Sequence, residues 1–173
     1  MTTCMTTYIA LLRAVNVGGT GKLPMAELRA MCESIGFKKV RTYIASGNVV
    51  FASKLSEKSV KAKLEACLEA YAGKPVGVLI RTGAELAAVL DGNPFRSAAP
   101  NRTVAIFLDG APPADTLSTA SGQQTEEIAL GTREIYVHYG NGIANSKLKI
   151  RAASGGTARN MNTVTTLADW AAE

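Results

Sequence analysis

Short apolar runs alternate with amphipathic stretches through residues 1–81, and this order constrains the fold more than any other feature of the chain. Residues 8–12, 40–44, 48–51 and 76–80 are short runs typical of strands, and the turn-forming run Ala45-Ser46-Gly47 indicates a hairpin. Residues 24–35 and 60–71 instead carry apolar side chains at helical spacing, with Pro24 suited to a first helical turn. The predicted order is β-α-β-β-α-β.

Residues 82–173 predict a second α+β half. Thr82 and Glu85 have the spacing of a capping box, which starts a helix that ends near Asp91. A strand at residues 103–108, a short helix opened by Pro112 and a hairpin at residues 126–139 follow. A basic helix at residues 145–152 and an apolar C-terminal helix complete the order α-β-α-β-β-α-α. We therefore predict two related halves, residues 1–81 and 82–173, the second with a helical C-terminus.

Composition excludes several classes of protein. The 173 residues are 47% hydrophobic and 19% charged, which is too apolar for a disordered chain. No run approaches the length of a membrane helix and the first residues lack a secretory signal, so we expect a cytoplasmic protein without a membrane partner. The net charge of +5 is compatible with an anionic partner.

The cysteines and the single histidine predict no metal site and no cofactor. Cys4, Cys32 and Cys67 include no Cys-x-x-Cys pair, and the helical positions of the last two favour small buried hydrophobic residues. His138 lies in a strand-like run, on one face with Glu134 and Tyr136 by alternation, so a histidine on the surface of a sheet is the simpler interpretation.

Polar and glycine residues are predicted to meet at one edge of the first sheet. In a β-α-β-β-α-β unit the end of the first strand, the hairpin after the second and the start of the fourth strand near Lys74 lie together. Glycines and fixed positive charge there suit an anion, and a flexible connection is the structural alternative. The GGTGK run at residues 18–22 lacks the first glycine and the hydroxyl of a nucleotide-hydrolase phosphate loop. The candidate residues are Arg13, Asn16, Gly18, Gly19, Lys22, Ser46 and Asn48.

A second basic stretch covers residues 147–159, which contain four cations and no acid. A solvated basic helix is one interpretation. Alternatively Lys147, Arg159, Asn160 and Asn162 present donors to an anion before an apolar helix, although Asn162 or Thr163 can also be an ordinary N-cap.

Five blocks together resemble the bacterial domain-of-unknown-function 1697 family: LLRAVNVGG at 11–19, TYIASGNVVF at 42–51, NPF at 93–95, SKL at 146–148 and TARNMNTV at 157–164. Ala14 stands where that family usually has Gly, and Met161 where it usually has Trp. The resemblance implies an α+β fold of two ferredoxin-like, βαββαβ-type halves with mainly antiparallel sheets. It implies no activity and no catalytic residue.

Three functions stay open from the sequence. The first is binding of a small phosphate- or carboxylate-bearing ligand or a nucleotide among the 13–22 loop, the 46–48 hairpin and the 159–162 segment. The second is a ferredoxin-like nucleic-acid-binding module, with Tyr8, Tyr43 and Phe51 as candidates for base stacking. The third is a ligand-free protein that dimerises through its sheet. Whether the protein is an enzyme stays open, because no general base is evident in these loops.

Overall fold

The structure, a computed structural model, describes residues 5–13, 23–43, 47–140, 142–143 and 146–173. These residues divide into two units. The first comprises the described part of Met1–Leu86 together with Leu167–Glu173, and the second comprises the described part of Ala87–Thr166.

The order predicted for residues 1–81 is confirmed, and four of its elements are strands. β1 is Thr6–Leu12, β2 Lys38–Tyr43, β3 Asn48–Ser53 and β4 Val78–Thr82; helix α1, Met25–Ser34, follows β1, and helix α2, Glu57–Ala72, follows β3. The strands lie in the order β2-β3-β1-β4, and every neighbouring pair is antiparallel. β1, one of the two central strands, therefore ends between the segments that precede β3 and β4.

Apolar residues on one face of this sheet form the core with the two helices. Tyr8 and Leu12 of β1 pack in one cluster with Leu28 of α1 and Leu64 of α2. Cys32 is fully buried in the same cluster, which confirms its prediction as a small core residue. Helix α2 begins where Ser56 accepts a hydrogen bond from the Ser59 N–H.

The second sheet contains four strands, β5 Thr103–Phe107, β6 Glu127–Leu130, β7 Glu134–His138 and β8 Thr157–Asn160. Their order is β6-β7-β5-β8, again with every neighbouring pair antiparallel. Helix α3, Gly83–Asp91, precedes them and helix α4, Met161–Ala172, follows them. The predicted capping box is confirmed in both directions: Thr82 N–H donates to Glu85 Oε1 at 2.9 Å, and Glu85 N–H donates to Thr82 Oγ1 at 3.2 Å.

Two predicted helices of the second half are wrong. Residues 114–119, after Pro113, form turns, and the described part of the basic stretch at 145–152 contains no α-helix. Lys149 instead exchanges two backbone hydrogen bonds with Ser121, and Arg151–Gly155 form a 3-10 helix. Pairing with a residue far away in sequence overrides the local helical pattern here. β8 was not predicted, because its sequence TARN is polar.

Within the part of the chain that the structure describes, no helix is long and apolar enough to cross a membrane.

Candidate functional site

The end of β1 is held on both sides by backbone hydrogen bonds. The Leu12 N–H donates to the Gly47 carbonyl at 2.9 Å, and the Arg13 N–H donates to the Gly77 carbonyl at 2.9 Å. Gly47 directly precedes β3, and Gly77 directly precedes β4. The predicted meeting of these three segments at one sheet edge is therefore confirmed for the described residues.

The half-buried side chain of Arg13 lies over Gly77. A Cβ added at Gly77 would stand 3.0 Å from Arg13 Cδ and 3.6 Å from one of its terminal nitrogens. Because Gly77 has no side chain, the Arg13 side chain can pack directly against the backbone at residue 77. Gly77 was missed in the sequence, although Pro75 nearby marks the end of the preceding helix and a backbone turn at that point.

Lys61 and Glu65 of α2 hold the start of β4. Lys61 Nζ donates to the Val78 carbonyl at 2.6 Å, and the Val78 N–H donates to Glu65 Oε2 at 3.0 Å. β4 is an edge strand, so its outer backbone groups have no neighbouring strand to pair with. Lys61 and Glu65 provide hydrogen-bond partners for the carbonyl and the N–H of Val78 there. They also fix the residue next to Gly77, so the segment beneath Arg13 is anchored from both sides.

Asn48 has a structural contact in the hairpin. It is 0% exposed, and its Nδ2 donates to the Tyr43 carbonyl at 3.0 Å, across the first pair of the β2–β3 ladder. This bond closes the hairpin that supplies Gly47. Of the other residues predicted at this edge, Asn16, Gly18, Gly19, Lys22 and Ser46 lie outside the described residues.

Arg159 is buried in β8 of the second unit. It is 7% exposed, and its Nη1 donates to Thr157 Oγ1 at 2.7 Å and to the Ala158 carbonyl at 2.9 Å. Burial lowers the pKa of Arg159 to about 10, so the guanidinium keeps its charge at neutral pH. Both acceptors belong to the same strand as Arg159, and they satisfy part of the hydrogen-bonding capacity of this buried guanidinium.

The other predicted residues of the second unit have different surroundings. Asn160 Oδ1 accepts a hydrogen bond from the Thr163 N–H at 2.9 Å, directly before α4. Asn160 is therefore the N-cap, and the prediction of Asn162 or Thr163 for that position is wrong. The side chains of Asn162 and Lys147 are exposed.

The aromatic residues proposed for base stacking are largely unavailable. Tyr8 and Phe51 are buried in the core against the helices. Tyr43 is half-buried and packs edge-on against Trp170. The prediction that Tyr8 and Phe51 stack on bases, as aromatic residues of a nucleic-acid-binding sheet do, is therefore wrong.

His138 is half-buried, and its Nδ1 lies 3.2 Å from Thr103 Oγ1. Glu134 and Tyr136, on the same strand face, are buried, so the face that carries His138 is only partly open to solvent. No group of three or more His, Cys, Asp or Glu side chains suited to a metal ion occurs among the described residues.

The chain is similar to a family model and to a solved structure. The family model described as "Protein of unknown function (DUF1697)" matches residues 5–136. A solved structure, the conserved bacterial protein SP0830 from Streptococcus pneumoniae, is similar to the chain at 26% identity and a TM-score of 0.81. The similarity covers 97% of this chain and 99% of that one. No curated protein sequence matches the chain.

Proposed function

We propose, from the premise that this chain belongs to the DUF1697 family of proteins of unknown function, that it binds a small anionic ligand at the exit of β1. The ligand class is a phosphate- or carboxylate-bearing small molecule or a nucleotide, and Arg13 supplies the charge that recognises it. The observation that supports the proposal most directly is the packing of the Arg13 side chain on Gly77. This contact lies at the end of β1, which is hydrogen-bonded to the Gly47 and Gly77 carbonyls.

The distribution of charge supports an anion. Residues 1–81 contain twelve Lys and Arg against five Asp and Glu, whereas residues 82–173 contain seven against nine. The excess positive charge of the protein therefore belongs to the half that carries Arg13. A positive surface raises the local concentration of an anionic ligand and its rate of association.

The geometry of the strand end also supports recognition. Arginine presents several N–H donors in a planar group that matches the oxygens of phosphate and carboxylate. Its backbone is fixed by the bond to Gly77, so little backbone ordering is needed when the ligand binds. By the sequence, Asn16, Gly18, Gly19, Lys22 and Ser46 are the further candidates at this edge.

We also propose that both halves are ferredoxin-like. Two observations support this: each sheet has its first strand between the third and the fourth, and all neighbours are antiparallel. In the first unit both crossovers are α-helices. In the second unit the corresponding connections contain turns and a 3-10 helix in their described residues, so it would be a reduced version.

A thermal-shift panel tests the binding proposal. Inorganic phosphate, pyrophosphate, ATP, citrate and an oligonucleotide are added to the wild type and to Arg13→Gln. A ligand that binds only the folded state raises the unfolding midpoint with its concentration. Arg29→Gln is the matched control, since Arg29 is an exposed arginine of the same unit that pairs with Glu33 on α1.

We expect at least one small anion to stabilise the wild type and Arg29→Gln but not Arg13→Gln. Gly77→Ala should weaken the same effect, because the added Cβ stands 3.0 Å from Arg13 Cδ and displaces the arginine without changing the charge. Stabilisation by the oligonucleotide alone, with a steep dependence on salt, would favour the nucleic-acid alternative. No stabilisation by any of these anions would refute the proposal.

A further inference from the structure

The second unit contains a cleft that the anion proposal does not use. Its volume is about 270 Å³, near the lower end for small-molecule sites, and the end of α3, the segment that follows it and the first turns of α4 line it. The lining side chains include Asp91, Phe95, Arg96 and Met161. The cleft therefore combines one carboxylate, one guanidinium and an apolar wall in the space of a single small ligand.

The two charges in this cleft form no ion pair with any residue that the structure describes. Asp91 and Arg96 are exposed, and within the described part of the chain neither forms an ion pair within 4.0 Å with the other or with a third residue. Two opposite charges that share one cleft without meeting leave a place for a ligand that carries the complementary pair of charges. A cationic group would face Asp91 and an anionic group would face Arg96.

The apolar wall favours an aromatic ligand. The half-buried ring of Phe95 offers an aromatic surface, and aromatic rings pair in offset or edge-to-face arrangements. Met161 supplies a polarisable thioether, which makes favourable contacts with rings. Together they provide a surface for a flat apolar body between the two charged groups.

The segment that carries Phe95 and Arg96 is fixed by hydrogen bonds. Asn93 is buried, and its Oδ1 accepts from the Phe95 N–H at 2.9 Å. The Phe95 carbonyl in turn accepts from the Ala98 N–H at 3.0 Å. The Phe95 ring lies 6.0 Å, centre to centre, from the His138 ring. This segment includes the NPF block, whose described contacts thus order the cleft wall.

The end of α3 is fixed as well. The buried Tyr136 hydroxyl of β7 donates to the carbonyl of Val89 at 2.8 Å, and Val89 directly precedes Leu90, which lines the cleft. A Cβ at Gly92 would stand 3.2 Å from the same hydroxyl, so the strand and the helix end are in close contact. A site whose walls are ordered before binding loses less entropy on binding.

We propose that this cleft binds a small aromatic zwitterion of the α-amino-acid type. The ammonium group binds Asp91, the carboxylate binds Arg96, and the aromatic body packs on Phe95 and Met161. This site is separate from the one at Arg13 and stands independently of it.

The probes that test the proposal are L-phenylalanine, phenylacetate and phenethylamine, which share one aromatic body and differ in charge. Their affinities are measured by isothermal titration calorimetry or NMR titration. We expect L-phenylalanine to bind with a Kd on the order of 1 mM, as fits a ligand of this size, and at least about tenfold more tightly than either probe that lacks one charge.

Two variants assign the charges. Asp91→Asn should lower the affinity for L-phenylalanine about tenfold and leave the affinity for phenylacetate unchanged. Arg96→Gln should also lower the affinity for L-phenylalanine about tenfold, but it should leave the affinity for phenethylamine unchanged. Asp115→Asn, an exposed acid of the same unit outside the cleft, is the matched control and should change nothing. All these residues are exposed, so the variants retain the fold.

Equal affinity for the three probes would overturn the proposal, because it would show that the two charges do not contribute. Absence of saturable L-phenylalanine binding up to about 10 mM would overturn it as well. Weakening by Asp115→Asn to the same extent as by Asp91→Asn would show a non-specific charge effect and likewise refute it.

Discussion

The guanidinium carbon of Arg41 lies 3.9 Å from the centre of the Trp170 ring, so a residue of the edge strand β2 stacks on the last turns of α4. Arg41 also forms an ion pair with Glu173, and Tyr43 packs edge-on against Trp170 with ring centres 5.2 Å apart. Two residues of β2 thus hold Leu167–Glu173 in the first unit.

Removal of this stacked charge should loosen the end of α4. We expect Arg41→Gln to lower the free energy of unfolding by about 1 kcal/mol, mainly through the lost cation–π contact, since ion pairs this exposed contribute little. Trp170 is the only tryptophan, so its emission maximum reports the change directly. Glu173→Gln keeps the stacked arginine and should have the smaller effect. An unchanged emission in Arg41→Gln would contradict the assignment.

Two neighbouring glycines should differ sharply in their tolerance of alanine. A Cβ at Gly156 would stand 2.4 Å from the Phe107 carbonyl oxygen and 2.8 Å from Leu108 Cδ2, whereas a Cβ at Gly155 meets nothing within 4 Å. We expect Gly156→Ala to lower the free energy of unfolding by about 1–3 kcal/mol through overpacking. Gly155→Ala should stay within about 0.5 kcal/mol of the wild type in urea denaturation. Equal effects would show that Gly156, directly before β8, does not approach the end of β5 in this way.

Alkaline pH should destabilise the fold through Tyr136. Burial, with a smaller effect of Glu134, raises the pKa of Tyr136 to about 12, whereas the unfolded side chain ionises near pH 10. Between these values the unfolded chain releases its proton first, so stability is intact below pH 10 and is lost towards pH 12. The loss attributable to Tyr136 should reach about 2–3 kcal/mol.

Tyr136→Phe isolates this contribution. Below pH 10 the variant should be about 1 kcal/mol less stable than the wild type, because it lacks the bond to the Val89 carbonyl. The deficit should shrink and reverse between about pH 10 and 12. Tyr71→Phe, at an exposed residue, should follow the wild type throughout. A deficit in Tyr136→Phe that is constant with pH would contradict the raised pKa.

The two described cysteines should differ in reactivity. Burial, followed by smaller effects of Cys67 and Glu33, raises the pKa of Cys32 to about 12, so its reactive thiolate is scarce at pH 8. Cys67 is half-buried. In a Cys4→Ser background, iodoacetamide should modify Cys67 in the folded protein and reach Cys32 only in urea, as mass spectrometry will show. Modification of Cys32 in the folded protein at the rate of Cys67 would refute its burial.

The first unit could be predicted from sequence because its signals are local. Apolar runs and helical stripes alternate without interruption there, and Pro24 and the Thr82–Glu85 capping box mark helix starts within a few residues. The meeting of Arg13 with the hairpin followed from the rules of strand connection. The contact between Arg13 and Gly77 did not, because it depends on two residues far apart in sequence.

The second unit was predicted less well because distant pairing decides its structure. β8 consists of polar residues, and its place depends on β5, whose Ala105 pairs with Arg159. The sequence around Lys149 predicted a basic helix at residues 145–152, but Lys149 forms a β-bridge with Ser121 instead. The cleft at Asp91 and Arg96 could not be read from the sequence either, since Met161, which completes its apolar wall, lies far along the chain.

The most direct test of the central claim is the affinity of the protein for pyrophosphate, measured by isothermal titration calorimetry for the wild type, Arg13→Gln and Arg29→Gln at constant ionic strength. We predict saturable binding that Arg13→Gln weakens by about tenfold or more and that Arg29→Gln leaves within about twofold of the wild type. Equal affinities in the two variants would contradict a site at the end of β1 and would leave only a general attraction of the basic half for anions.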